Sequence, residues 1–167
     1  MQSYIFNSFS RENSLEIKNA ITSLYKTQMP VIVCVGTDLV TGDSFGPLVG
    51  TLIKNKLQGK AFIYGTLDSP ITAKEVGVLY NNLKKLHPLS KVLVIDAAVG
   101  VEEDVGTVKI KGEGVKPGLG YNKDLPLIGD VSIIGIVSSA SNSLSVRLGL
   151  VYRLALDVSN GVIKALF

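Results

Sequence analysis

The hydrophobic residues of the chain fall into two patterns, unbroken runs and stripes that repeat every three or four residues. The run at residues 31–35 is wholly apolar, and so are four consecutive residues within 91–96. Unbroken runs of this length are typical of strands that are buried on both faces of a sheet. We predict further buried strands at residues 61–64 and 132–137. Residues 106–111 alternate apolar residues with lysine, which predicts a half-exposed strand at an edge of the sheet.

The stripes predict four helices, because apolar residues at a spacing of three or four share one helix face. The predicted helices cover residues 17–25, 48–57, 72–86 and 144–166. Thr72 and Glu75 have the spacing of a capping box at the start of the third helix. Gly149 and Gly161 should weaken the last helix slightly.

Strands and helices therefore alternate along the chain without an internal repeat or a linker. This order favours an α/β fold, a three-layer αβα sandwich around a mixed, mostly parallel sheet. With 167 residues, the chain is long enough to bury roughly 70% of its unfolded surface, so residues 1–167 should form a single domain. Residues 112–129 contain five glycines and two prolines and predict a long irregular segment. Segments of that kind are usually functional or mobile.

Charge and cysteine content remove several classes of function. The formal net charge of +3 comes from scattered lysines and arginines, so no basic arm points to a nucleic-acid partner. The single cysteine, Cys34, excludes a disulfide framework and a cysteine-based zinc site, and within an apolar run it is expected to be a small buried hydrophobe. We see no secretory signal and no apolar run of 18 residues. The sequence thus predicts a soluble cytoplasmic protein without a membrane partner.

Two aspartates stand where predicted strands end. Asp43 lies in the glycine-rich segment GTDLVTGDSFGP (36–47), which follows the first apolar strand, and Asp96 ends the strand at 91–96. If these strands are parallel neighbours, both carboxyl groups reach the edge of the sheet where α/β folds bind ligands. Two carboxyl groups close to each other repel when both are charged. The pKa of one is then raised and the pKa of the other lowered, which would give an acid and a base. The alternative is structural, with Asp43 capping the following helix and Asp96 closing a turn.

Other chemistries lack their usual sequence pattern. No GxGxxG or GxxxxGK[ST] motif is present, and the acids of segment 36–47 would repel a phosphate group. The serine-rich segment SSASNSLS (138–145) has no GxSxG motif and is interpreted as a strand end, a turn and a helix cap, with Ser143 as the capping residue. The one histidine, His87, is interpreted as a solvated residue at a helix end.

Three segments carry a resemblance to a known family. GDSFGP (42–47) resembles the first motif of the spore germination protease family, and VIDAAVG (94–100) resembles its second. GVKPGLGYNKDLP (114–126) is similar to a loop of that family in which Pro-Gly, a second Gly and Asn-Lys have the same spacing. The chain length and the segment GTDLVTGDSFGPLVG resemble still more closely the sporulation proteins of the YyaC type, which are similar to the germination protease.

The resemblance implies an atypical aspartic peptidase with Asp43 and Asp96 as its catalytic residues. It implies the phosphorylase/hydrolase-like fold that is shared with the hydrogenase maturation proteases. Those proteases also need a histidine-containing metal site, and because this chain has only His87, no metal and no cofactor is expected. The third motif implies a substrate-binding loop whose residues are Lys116, Pro117, Gly118, Gly120, Asn122 and Lys123.

The function that the resemblance implies is an endopeptidase of sporulation in the cytoplasm of the forespore or the spore core. Its substrates would be spore proteins, with the small acid-soluble spore proteins as the family's example. The rival hypothesis is an inactive sporulation protein that uses the same fold to bind a peptide or protein partner. The order of acid and base, activation from a zymogen and homo-oligomer formation are left open.

Overall fold

The computed structural model of the chain describes residues 3–7, 12–117, 127–142 and 145–167. These residues contain one six-stranded sheet with the order β1-β5-β6-β4-β2-β3. The strands are β1 (Ser3–Asn7), β2 (Val31–Cys34), β3 (Phe62–Tyr64), β4 (Val92–Gly100), β5 (Thr107–Lys111) and β6 (Val131–Ser139). Strands β3, β2, β4 and β6 are parallel neighbours, whereas β5 runs antiparallel to both β6 and β1. The predicted mixed, mostly parallel sheet is confirmed.

Helices cover both faces of this sheet. They are α1 (Asn13–Leu24), α2 (Phe45–Lys54), α3 (Val76–Leu86) and α4 (Leu148–Leu166). Helices α1, α2 and α4 pack on one face, while α3 packs on the other together with Val115 and Ile128. The three-layer αβα prediction is therefore confirmed. Among the described residues, no helix is both long and apolar enough to cross a membrane.

The two faces explain why the central strand β2 has no polar positions. Along β2, Ile32 and Cys34 enter the core below α1, α2 and α4, whereas Val31 and Val33 enter the core below α3. Successive side chains of a strand point to opposite faces, so a strand covered on both sides needs apolar residues throughout. Cys34 is fully buried and unpaired, as predicted, and burial raises the pKa of its thiol.

Glycine sets the distance between α1 and α4. A side chain at Gly161 of α4 would lie 2.3 Å from Cγ2 and 2.7 Å from Cβ of Ile17 in α1. The missing side chain therefore lets the two helix backbones approach closely. Gly149, near the start of α4, has no neighbouring atom within 4 Å of the same position.

The edge-strand prediction for residues 106–111 is wrong. Strand β5 lies inside the sheet between β1 and β6, and β1 forms the edge. The lysines of β5 suggested an edge, but Lys109 is half-buried in an ion pair with Asp104, and Lys111 lies 3.7 Å from Glu113. Strand β1 has only five residues with a half-exposed pattern and is held by pairing with β5, a contact about a hundred positions away in sequence.

Several predicted boundaries also need correction, including those of α2, which spans Phe45–Lys54 instead of 48–57, and of α4, which begins at Leu148 instead of 144. Strand β4 continues four residues beyond Asp96, to Gly100, because β6 pairs with it over that whole length. Helix α3 begins at Val76, and the predicted capping residues form a turn before it, in which Oε2 of Glu75 accepts hydrogen bonds from the backbone N–H and hydroxyl of Thr72. The proposed cap Ser143 lies outside the described residues.

Candidate active site

Asp96 lies in the middle of the sheet, on the central strand β4. Side-chain alternation places it on the face of Val92 and Val94, which form the core below α3. It occupies the position where that core ends, and only 8% of its surface is exposed. Its Oδ1 atom accepts a hydrogen bond of 2.9 Å from the backbone N–H of Ala97. A carboxyl group that is this deeply buried needs a chemical or structural reason.

Asp43 is positioned by the tight path of the chain after β2. It lies in a 3₁₀ turn, Gly42–Ser44, that leads directly into α2. Its carbonyl oxygen accepts a 3.2 Å hydrogen bond from the N–H of Thr37 and would lie 2.0 Å from a side chain at Gly36. Gly36 has a φ of 140°, so only glycine fits there without strain. The loop therefore folds back and returns the side chain of Asp43 to the end of β2.

One cavity joins the two aspartates. It has a volume of about 380 Å³, which is within the usual range for ligand pockets. Segments from five parts of the chain line it, namely Val35, Gly36, Thr37, Val40, Gly42, Asp43, Thr72, Ala73, Asp96, Ala97, Ala98, Val99, Val137, Ser138 and Val146. Asp43 and Asp96 are the ionisable side chains of this lining. The prediction that both carboxyl groups reach one edge of the sheet is therefore correct.

The electrostatics of the pair favour keeping a proton. The pKa of Asp96 is raised to about 7, chiefly by burial; the hydrogen bond from Ala97 opposes this rise, and the negative charge of Asp43 adds to it. Burial also raises the pKa of Asp43, although its side chain remains exposed at the mouth of the cavity. Near neutral pH the pair can thus hold one proton between two carboxyl groups, as an acid and a base must.

The structural alternatives for the two aspartates are not realised. The residue that caps α2 is Ser44, and no side-chain capping hydrogen bond is present there or at Thr41, which precedes the 3₁₀ turn. Asp96 does not close a turn, because β4 continues through it. A helix cap therefore does not explain the carboxyl group of Asp43, and Asp96, although it accepts a hydrogen bond from the N–H of Ala97, does not close a turn.

The predicted substrate-binding residues are described only in part. Lys116 is exposed and Pro117 is buried, and neither lines the cavity. Gly118, Gly120, Asn122 and Lys123 lie outside the described residues. The ends of this segment are joined by reciprocal 2.9 Å hydrogen bonds between Val115 and Ile128. A role of this loop beside the aspartates stays a prediction.

His87 lies beside β3, near the end of the sheet opposite to the aspartates. It ends α3, as predicted, but it is half-buried, with its ring 4.2 Å from that of Phe62 and its Nε2 3.0 Å from the hydroxyl of Tyr64. Phe62 pairs with Val31 at the start of β2, whereas Asp43 follows the end of that strand. Within the described part of the chain, no three His, Cys, Asp or Glu residues form a group that could hold a metal ion.

Most of the cavity wall was not predicted from the sequence. Thr72 and Ala73 reach it from the turn before α3, Ser138 from the end of β6, and Val146 from the segment before α4. None of these residue types signals a site by itself. The available signal was their place after predicted strands, since all such segments of a parallel sheet approach the same edge.

Two comparisons with known proteins bear on this site. The sequence profile of a family described as "Protein of unknown function (DUF1256)" matches residues 5–161. The chain is also 39% identical to "Uncharacterized protein YyaC" from Bacillus subtilis (strain 168) in an alignment over 137 residues that covers 79% of this chain and 67% of that protein. The predicted resemblance to proteins of the YyaC type is confirmed. The resemblance to the spore germination protease stays a prediction.

Proposed function

The chain belongs to the family described as Protein of unknown function (DUF1256), and we propose that it is a peptidase whose catalytic groups are Asp43 and Asp96. The observation that carries this proposal is the shared cavity, in which burial, with a smaller contribution from the charge of Asp43, raises the pKa of Asp96 to about 7. Two carboxyl groups that hold one proton between them are suited to hydrolysis of an amide by water.

The proposed reaction needs one ionised and one protonated aspartate. The ionised carboxylate takes a proton from water as the oxygen attacks the carbonyl carbon of the peptide bond. The protonated carboxyl group donates a hydrogen bond to the carbonyl oxygen. As the C–N bond breaks, a proton passes from the pair to the leaving nitrogen. Because coupled groups titrate together, the two steps belong to the pair rather than to fixed residues.

The biological setting is proposed from the resemblance in sequence. The three motifs that are similar to the spore germination protease suggest a role in sporulation, with spore proteins as substrates and the forespore cytoplasm as the place of action. The small acid-soluble spore proteins are the first substrates to test.

The test compares three variants of the purified chain on an acid extract of spore proteins. Asp43→Asn and Asp96→Asn keep the side-chain shape but remove the ionisable group, so cleavage should fall by roughly 10²- to 10⁴-fold. Asp38→Asn is the matched control, because Asp38 is in the same loop, is exposed and does not line the cavity. It should retain most of the activity, and circular dichroism should show that all three variants are folded.

A different outcome would favour the rival hypothesis of an inactive peptide-binding protein. Most of the cavity wall is apolar or backbone and would serve binding without any ionisable residue. If the folded Asp43→Asn and Asp96→Asn variants cleave as well as the parent chain, the aspartates are not catalytic. If the parent chain cleaves no protein of the extract, binding becomes the better proposal.

A further inference from the structure

The end of β4 has a neighbouring strand on one side only. On the β2 side, the ladder stops at the 2.8 Å hydrogen bond from the N–H of Val35 to the carbonyl of Ile95. The chain then turns away, and the N–H of Gly36 donates instead to the carbonyl of Ile71. On the other side, β6 keeps pairing with β4 as far as Gly100. At residues 97–100, the side of β4 that faces away from β6 is therefore a free strand edge, although β4 is a central strand of the sheet.

The free edge offers backbone groups for hydrogen bonding. In a ladder, the N–H and C=O of one residue point to the same side, and successive residues alternate. The carbonyl of Ile95 faces β2, so Ala97 and Val99 face the same side. The N–H of Ala97 donates to Asp96. In the described part of the chain, the C=O of Ala97 and the N–H of Val99 have no backbone partner on that side.

A bulge in the pairing of β4 with β6 does not change which backbone groups of β4 face away from β6. Ala98 pairs with Ile136 and Val99 pairs with Ser138, so the extra residue of the bulge, Val137, belongs to β6. Strand β4 keeps its regular alternation up to Gly100. The pattern of exposed groups therefore holds along the whole edge.

The free edge lies in the same cavity as the catalytic pair. Ala97, Ala98 and Val99 line one wall of the cavity next to Asp96, and Val40 and Asp43 belong to the opposite loop. Val40 and Val99 are 51% and 53% exposed, which leaves apolar contact surface on both sides. A chain laid along the edge would pass directly beside the two carboxyl groups.

Charge near this edge is mainly negative, although Lys109 pairs with Asp104 and Arg147 lines a neighbouring cavity together with Glu102. Residues 36–44 and 96–106 contain no lysine or arginine, although the chain as a whole has a net charge of +3. Their acidic residues are Asp38, Asp43, Asp96, Glu102, Glu103 and Asp104. Glu102 and Glu103 are exposed and follow the end of the free edge almost at once. A local excess of negative charge attracts a partner of positive charge and repels an acidic one.

From these observations we propose that the edge at residues 97–100 binds its substrate as an added β-strand, and that the substrate is an extended peptide with basic side chains. Strand addition to an exposed edge is an established mode of peptide recognition, in which the backbone supplies affinity and the side chains supply selectivity. The inference rests on the proposed function, because it describes how a peptide reaches Asp43 and Asp96.

The test uses binding, so that it does not depend on cleavage. The protein is the full chain with Asp96→Asn, which keeps five of the six acidic residues near the edge. The probe is a fluorescein-labelled nonapeptide of alternating valine and lysine, followed by fluorescence anisotropy. Two controls carry N-methyl groups on alternate residues, in the two opposite phases, and a third replaces every lysine with glutamate.

Strand addition predicts a specific pattern of affinities. N-methylation should weaken binding at least tenfold in the phase that removes the N–H groups facing β4, and much less in the other phase. The glutamate peptide should bind at least tenfold more weakly than the lysine peptide. Hydrogen exchange followed by mass spectrometry should show slower exchange within residues 97–100, at the N–H of Val99, when the lysine peptide is present.

A variant of the edge provides an independent readout. Val99→Pro removes an N–H that faces away from β6 and should weaken binding, whereas Val99→Thr keeps that N–H and should not. If Val99→Pro does not fold, the exchange measurement on the unaltered edge still decides. The inference is overturned if no peptide binds at millimolar concentration, if both N-methylated peptides bind like the parent peptide, or if protection maps elsewhere.

The outcomes also separate this inference from the proposed function. Cleavage of spore proteins by the parent chain, without edge binding of extended peptides, would overturn only the mode of recognition. Edge binding without cleavage under any condition would overturn the catalytic role and leave a peptide-binding protein.

Discussion

At the scale of single residues, Asp96 shows how much a position in the sheet changes an ordinary side chain. Asp96 belongs to a segment whose preceding residues are those of a buried strand. Its carboxyl group lies between an apolar core and a cavity. An ionised carboxylate loses hydration there, so the protonated form is favoured in the folded state. The same group should be ionised at neutral pH in the unfolded chain.

This difference predicts how stability depends on pH. The pKa of Asp96 is about 7 in the folded state, against an ordinary value of 3.8. Its contribution is therefore fully present below about pH 4 and is lost as the pH rises through about 7. The loss should be on the order of 4 kcal/mol in the free energy of unfolding. Urea unfolding of the parent chain between pH 4 and 8 measures it.

Asp96→Asn is the matched comparison for that measurement. The amide cannot ionise, so the variant should lose most of the decline in stability between pH 4 and 7 and should exceed the parent in stability above pH 7. The remaining slope includes Asp43, whose pKa is also raised by burial. Parallel curves for the parent and the variant would contradict a raised pKa at Asp96.

At the scale of elements, the packing of α1 against α4 depends on one glycine. Helix α4 forms a large part of the core on its face of the sheet, and the segment before it supplies Val146 to the cavity. At Gly161 the two helices are too close for any side chain. The glycine lowers helix propensity, but it permits burial of Ile17, which is worth more than the propensity lost.

Two glycine substitutions in α4 should therefore have opposite effects. Gly161→Ala introduces a methyl group that would overlap Ile17, and it should lower the free energy of unfolding by about 1–3 kcal/mol. Gly149→Ala enters open space and should raise that free energy by roughly 0.5 kcal/mol through reduced backbone entropy of the unfolded chain. Thermal unfolding of both variants would test this, and stabilisation by Gly161→Ala would contradict the close approach.

At the scale of the whole molecule, local pattern predicted the layers but not their borders. The apolar runs of β2 and β4 and the stripes of α2 and α4 were enough for the αβα class and for two aspartates at one edge. The edge strand β1 was missed because its stability comes from pairing with β5, which no local pattern records. The extension of β4 was missed for the same reason, since it depends on β6.

The walls of the cavity were the least predictable part. Thr72, Ala73 and Val146 have no chemical signal in sequence and reach the cavity only through the order of the strands. The prediction that Asp43 and Asp96 lie close together was correct because β2 and β4 are adjacent and parallel. A different strand order would have separated the same two motifs.

The strand order also affects how the cavity forms during folding. The cavity wall is assembled from five stretches between Val35 and Val146, and β4 must acquire both β2 and β6, its distant neighbours, before the wall exists. Contacts of such high sequence separation form slowly, typically in milliseconds to seconds. In refolding from urea, affinity for the lysine peptide should therefore return at the rate at which the native sheet forms. Recovery of that affinity in an earlier, faster phase would mean that a part of the chain builds the site alone.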